Sequence, residues 1–183
     1  MDLTNQFLIA MPAMADPNFD RTVVYVCEHS DKGAMGVVIN RPMELTLARL
    51  FDKIDLRLEI APWRDEPVLY GGPVQTERGF VLHAPAGNYG STLTVAEDIG
   101  LTTSKDVLEA LAVGSGPERL LVTLGYAGWA AGQLEHELAN NGWLSVPADS
   151  RVIFDTPLQA RFDAALKLLG VDPLKLSSQT GHA

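Results

Sequence analysis

The sequence predicts an α+β fold built on a mixed, mostly antiparallel sheet. Two observations carry this. The first half opens with β-branched runs separated by short turns, which read as hairpins, and hairpin-joined strands are antiparallel. The second half closes with helical patterns alternating with short apolar runs. A doubly wound parallel sheet would alternate strand and helix from the outset. At 183 residues and 46% hydrophobic, the chain suits one domain spanning 1–183. A chain of that size buries about 70% of its extended surface, enough for a core without a staple.

The elements follow in order. "FLIAM" reads as a short strand and "ADPNFD" as a turn, since Asp16 and Asn18 favour local turns and Pro17 fixes φ. "RTVVYVCEH" is a long β-branched strand; "SDKGAMG" turns the chain and "MGVVIN" pairs back. Pro42 forces Arg41 into an extended conformation and ends that strand. "LTLARLFDKI" has helical spacing, with Leu47, Leu50, Phe51 and Ile54 on one side. Residues 55–67 read as a surface connection. "PVLYGG" and "GFVLHA" read as a further hairpin, and "TLTV" as a short strand. "TTSKDVLEALAVG" is the clearest helix, with Thr103 as N-cap, Asp106 three residues on, and Gly114 to close it. "ERLLVTL" is a strand, followed by a helix expected to begin near Gly128 or Trp129 and to run to about Asn140. "WLSVP" and "RVIF" read as strands. "TPLQARFDAALKLLG" reads as a helix capped by Thr156, with Pro157 at N1, Gln159 at N3 and Gly170 at C′. The tail "SSQTGHA" has no periodicity.

Composition excludes several functions. The formal charge is −9, spread over both halves, which repels phosphate backbones. No run of Lys or Arg offsets it, so direct nucleic-acid binding is not expected. No apolar run approaches the roughly 18 residues of a membrane helix, so no membrane partner is expected. The opening "MDLTNQFLIAMPAMADP" has an apolar stretch and an "AMA", but Asp2 replaces a positive n-region and Pro12 interrupts it, so it does not read as a signal peptide. One cysteine, Cys27, allows no internal disulfide and suits a reducing cytoplasm.

Most chemical motifs are missing. There is no G-x-x-x-x-G-K-[ST], no G-x-S-x-G, no C-x-x-C and no H-E-x-x-H. "GSGPER" starts like a dinucleotide fingerprint but ends in Arg119, and it follows a helix instead of a strand. His29, His83, His136 and His182 have no metal-ligand spacing. In "EHE" (135–137) neighbouring helical residues point about 100° apart and cannot share one ion. No metal and no cofactor are expected. Cys27 and His29 share a strand face at i and i+2, which makes a thiolate–imidazole pair conceivable. The plainer reading, a small buried hydrophobe ending an apolar strand, is preferred.

The candidate ligand site gathers around "LGYAGWAAGQLEHELANNGWL" (124–144). Gly125 and Gly128 flank Tyr126, and Gln133 and Glu137 form a polar stripe on the helix expected to follow. With no Ser, Thr, Asp or Asn to cap it, that helix would leave backbone N–H groups for an anion. Asn40 and Arg41 in "INRP", Gly71 and Gly72 in "YGGP", and Arg78 and His83 around the next hairpin complete the candidates. Each has a bland alternative: a tight glycine turn, a turn Asn, a solvated Arg, a structural His. The bland alternative is preferred one residue at a time.

Seven blocks together resemble the AlgH/YqgE family of bacterial proteins. They are "FLIAMPAMADPNF", "CEHSDKGAMGVVINRP", "GGPVQTERGFVLH", "TTSKDVLEALAVGSGP", "LGYAGWAAGQLEHEL", "WLSVPAD" and the closing "GHA". The resemblance implies a single α+β domain whose bent sheet folds into a pseudo-barrel with flanking helices. It implies no known reaction and transfers no catalytic residue, and some members carry the label of transcriptional regulator. Two functions follow. The first is a non-catalytic regulatory protein acting through a protein partner or a small anionic ligand. The alternative is an enzyme of unrecognised type acting on an anionic or nucleotide-like small molecule, which requires Arg41, Arg78, His83 or Glu137 to converge on one pocket. The first is favoured.

Overall fold

The computed structural model describes residues 1–11, 14 and 16–170. The "SSQTGHA" tail with His182 lies outside them, as do Pro12, Ala13 and Ala15 of the opening segment. In chain order the elements are β1 (Gln6–Ala10), β2 (Val23–Ser30), β3 (Gly33–Val38), β4 (Pro42–Thr46), α1 (Leu47–Lys53) and α2 (Ala61–Arg64). Next come β5 (Pro67–Tyr70), β6 (Val74–Ala84), β7 (Thr92–Ala96), β8 (Ile99–Thr102), α3 (Asp106–Ala112) and β9 (Arg119–Ala130). Last are α4 (Gln133–Ala139), β10 (Trp143–Pro147), α5 (Ser150–Phe154) and α6 (Arg161–Leu168). The class is α+β, and β5 with β9 is the one parallel pair among the described strands. The chain divides into two compact units: Met1–Asn40 with the residues from Ala127 onward, and Arg41–Tyr126.

In the first unit the strands run β10-β1-β2-β3-β9, all antiparallel. One face buries Leu8, Val24, Val26 and Val38 with Phe19, Leu134, Trp129 and Trp143. The other face buries Phe7, Ile9, Val23 and Tyr25, and α6 packs on β1 and β2. Burial on both faces explains why these strands read as continuous apolar runs. Each such side chain contributes about 1.5–3 kcal/mol. The expected β2–β3 hairpin is present, with Ser30 opposite Gly33 across Asp31 and Lys32.

The second unit orders its strands β4-β5-β9-β6-β8-β7. Its core collects Leu47, Phe51, Leu58, Val68, Val81, Val107 and Leu111. The spacing of α1 places Leu47 and Phe51 one turn apart on its buried side, and the Thr46 side chain caps it by accepting from the Arg49 amide.

Five expectations are corrected. The strand after "ERL" does not stop before Gly128; β9 continues to Ala130, and the helix begins only at Gln133, after Gly132 at φ 77°. "PVLYGG" and "GFVLHA" form no hairpin, because β9 lies between β5 and β6 and pairs with both. "RVIF" is helical: Asp149 accepts from the Arg151 amide and starts α5, and so short an apolar run carries no period of its own. Thr103 does not cap α3; its hydroxyl meets Ser91, and Lys105 occupies the cap position without a side-chain bond. Nor does Thr156 cap the last helix. Its hydroxyl donates to the Arg151 carbonyl, a 3-10 turn over Leu158–Ala160 comes first, and α6 ends as expected with Gly170 at φ 76°. Strands β4 and β8 have no counterpart in the sequence reading.

Candidate functional site

A concavity lies within the second unit, on the sheet face made by β6 and β9. Val81 stands opposite Val122 and Gly79 opposite Leu124, so these residues share one face. Leu50 and Ile54 at the end of α1 and Leu108 of α3 supply the apolar walls. The groove holds about 250 Å³. Its polar lining includes Glu77, Arg78, Thr102 and Lys105. The Arg78 guanidinium lies 5.6 Å from the Phe80 ring centroid and donates to Gln75 Oε1 at 3.2 Å, which holds it with Phe80 on the other face of β6 from Gly79 and Val81. Gly79 keeps the floor open, since a Cβ added there would meet nothing within 4 Å. The rim hydroxyls are already engaged. Ser104 donates to Asp106 and accepts from the Ser91 amide, and Thr103 pairs with Ser91. Asp106 also takes the Gly90 amide at 2.6 Å; the Ser104 hydroxyl and then that amide hold its carboxyl below the usual range.

The glycines singled out from sequence do different work. The Gly71 amide donates to the Leu124 carbonyl, and a Cβ at Gly71 would fall 2.3 Å from the Gly125 oxygen. Gly125, at φ 78°, would in turn place a Cβ 2.4 Å from the Gly72 oxygen. Backbone meets backbone there and leaves no cradle for a ligand. Gly128 pairs with Met35 inside the sheet, so its amide is not part of a helix head. Ala130 donates to the Gln133 side chain.

A family model described as AlgH-like matches residues 7–174. The chain belongs to the AlgH-like family. A UPF0301 protein of Ralstonia nicotianae is 63% identical over 183 residues, covering all of this chain and 96% of that one. One from Cupriavidus pinatubonensis is 62% identical with the same coverage. The solution structure of AlgH from Pseudomonas aeruginosa is similar at 52% identity and a TM-score of 0.82, covering 100% of this chain and 97% of that one. A crystal structure of a Corynebacterium diphtheriae protein, at 21% identity and a TM-score of 0.63, covers 81% of this chain and 78% of its own and speaks to the fold alone.

In this AlgH-like protein the remaining candidates are structural in their contacts. Asn40 accepts from the Val23 amide and donates to the Arg21 carbonyl. The Arg41 guanidinium sits 5.8 Å from the Tyr70 ring centroid, and Tyr126 packs edge-on against Phe80. Glu137 Oε1 accepts from both Trp129 Nε1 at 3.0 Å and Trp143 Nε1 at 2.9 Å, while Oε2 takes Gln133. The three residues of "EHE" go separate ways, as their helical angle demands: Glu135 to His29, His136 to Asn140, Glu137 to the indoles. No cluster of three or more metal-ligating side chains occurs among the described residues.

His83 comes nearest to catalytic geometry. The Pro85 carbonyl fixes its Nδ1–H at 2.9 Å, so Nε2 accepts from the Thr102 hydroxyl at 2.6 Å. Burial lowers the His83 pKa, which keeps the ring neutral, and a hydroxyl, base and orienting group are thereby aligned. Both side chains are fully buried, however, and Thr92 occupies the far side of the Thr102 oxygen at 2.7 Å. That hydroxyl is thus bonded on both sides, although Thr102 also lines the groove. Cys27 is equally closed: it is buried, its thiol donates to the Tyr25 carbonyl, and burial pushes its pKa up. His29 has no role toward it, since Nδ1 accepts from the Leu3 amide and Nε2–H donates to Glu135.

Of the residues expected from sequence, Arg78 alone lines the groove. Lys105, Glu77, Gly79 and the apolar walls went unrecognised. They come from four elements, α1, β6, α3 and β9, and share no spacing; the one legible signal was a glycine opening a strand pattern.

Proposed function

We propose that this AlgH-like protein is a non-catalytic binding protein whose regulatory action depends on a small anionic ligand held in the groove over β6 and β9. The observation that carries this is an apolar-floored groove of about 250 Å³ with Lys105 among its lining residues, in a chain of net charge −9. Against so negative a background, a lysine at the mouth favours an anion locally, and an apolar floor adds desolvation. The enzymatic alternative has the His83–Thr102 pair to draw on, and both of those side chains are fully buried. Direct contact with DNA is not part of the reading, because the overall field opposes it. A cytoplasmic setting follows from the single cysteine. No helix among the described residues is long and apolar enough to cross a membrane.

The test is a screen of anionic metabolites by thermal shift, followed by amide chemical-shift mapping and product analysis. Stabilisation with shifts centred on Arg78, Gly79 and Lys105, and no product, supports the reading. Turnover of a bound compound, or ligands mapping only elsewhere, overturns it.

A further inference from the structure

We infer that the open edge of β7 is a docking site for an extended, cationic segment of a partner protein, added antiparallel as a further strand. It does not depend on the groove or its ligand. In the second unit β7 stands at one end of the strand order and β4 at the other. End strands leave main-chain donors and acceptors unpaired, and proteins blunt them with proline or charge. Strand β4 carries Pro42 and Glu44, and β10, the end strand of the first unit, carries Pro147. Strand β7 runs Thr92, Leu93, Thr94, Val95, Ala96 and has neither. Its middle is also uncovered. Leu93 and Thr94 point to opposite faces, and both are exposed, Leu93 at 37%.

Ladder parity sets which groups face outward. The Ser91 carbonyl accepts from the Thr103 amide, so position 91 bonds towards β8, and Leu93, opposite Leu101, does so two residues on. Thr92 and Thr94 therefore turn their amides and carbonyls to the open side. No loop backbone among the described residues bonds to those groups. Charge sets the occupant. From Gly79 to Ser104 the chain has no Lys or Arg, and its only carboxylates are Glu97 and Asp98, both exposed in the turn that ends β7. An antiparallel newcomer brings its N-terminal end beside that turn. Lysines at its head then meet carboxylates while a β-branched body pairs with the neutral strand. The net charge of −9 favours a cation and works against a second copy of this chain, which would set two such fields together.

The experiment titrates the intact protein with the acetylated peptide KKTVTVT and reads the amide shifts of Thr92, Leu93 and Thr94. EETVTVT is expected to bind at least about fivefold more weakly, and so is TVTVTKK, whose lysines an antiparallel strand carries away from Glu97. Affinity for KKTVTVT falls with added salt. Two forms of KKTVTVT, N-methylated on alternate amides, separate strand addition from a side-chain contact. One set of amides faces β7, and its methylation costs at least about tenfold; methylating the other set leaves binding intact. Thr94→Pro removes one outward amide and weakens binding while far-UV circular dichroism stays unchanged. If that variant unfolds, the methylated peptides decide. Glu97→Gln with Asp98→Asn brings KKTVTVT and EETVTVT to equal affinity. No shift at Thr92 or Thr94 with about 1 mM peptide, equal effects of the two methylation patterns, or EETVTVT binding as tightly as KKTVTVT to the parent overturns the inference. Self-association of the protein alone, abolished by Thr94→Pro in sedimentation, also overturns it, since the edge then belongs to a second copy.

Discussion

Glu137 is the most informative side chain to remove. It is half-buried, and its Oε1 receives the N–H groups of two buried indoles, at 3.0 Å from Trp129 and 2.9 Å from Trp143. Glu137→Ala leaves both donors without an acceptor. Each unmet buried donor costs about 1–3 kcal/mol, and partial exposure lets water recover some of this, so the expected loss is about 3 kcal/mol. For a chain of this length that is a fall of about 6–12 °C in Tm. Glu137→Gln behaves differently. Its amide oxygen still accepts from both indoles, but its NH2 faces the Gln133 amide that Oε2 formerly accepted. Gln133 cannot turn to suit it, because its own Oε1 holds the Ala130 amide. The expected cost is about 1 kcal/mol, or 2–4 °C. Urea unfolding followed by circular dichroism avoids the changed indole fluorescence. An alanine variant within about 0.5 kcal/mol of the parent, or a glutamine variant as damaging as alanine, would refute the double-acceptor account.

Three further outcomes follow. Gly125 and Gly132 have nearly equal φ, 78° and 77°, but only Gly125 meets a backbone oxygen, so Gly132→Ala should cost about 1 kcal/mol and Gly125→Ala at least twice that; equal losses by urea titration refute the close-approach argument. Burial lowers the folded-state His83 pKa below its ordinary value of 6.5, so the unfolded chain takes up the proton first; this stabilising contribution is complete above that value and is lost as pH falls from there through the lower folded-state value. Urea midpoints across this range should therefore drop with acid, and the drop should shrink in His83→Gln. Cys27, buried with its thiol pKa raised, should react with iodoacetamide at least about a hundredfold more slowly in the native protein than in urea; rapid native labelling, timed by mass spectrometry, contradicts its burial.

What was readable from the sequence tracks how local its cause is. The β1–β3 meander was legible because β-branched runs and the "SDKG" turn act over a few residues. The caps were less so. Thr103 and Thr156 are sound cap residues by type, yet their hydroxyls found Ser91 and the Arg151 carbonyl instead. The extent of β9 was misread because Gly125 and Gly128 normally punctuate. Here Gly125 supplies a positive φ and a backbone crossing inside an uninterrupted strand. "PVLYGG" and "GFVLHA" lie close in sequence but are separated by a strand from far along the chain, which no local rule reveals. The candidate site was the least legible part. Arg78 stood out by type, but Leu50, Val81, Leu108 and Leu124 look like any core residues until the topology sets them around an empty Cβ position.

That empty position gives a criterion for sorting relatives. A bulky residue aligned with Gly79 would close the groove without disturbing β6, so a homologue could keep the architecture and lose the trait. Inheritance of the fold and inheritance of the role thus become separable at one codon, and two sequences of high overall identity could differ in what they hold.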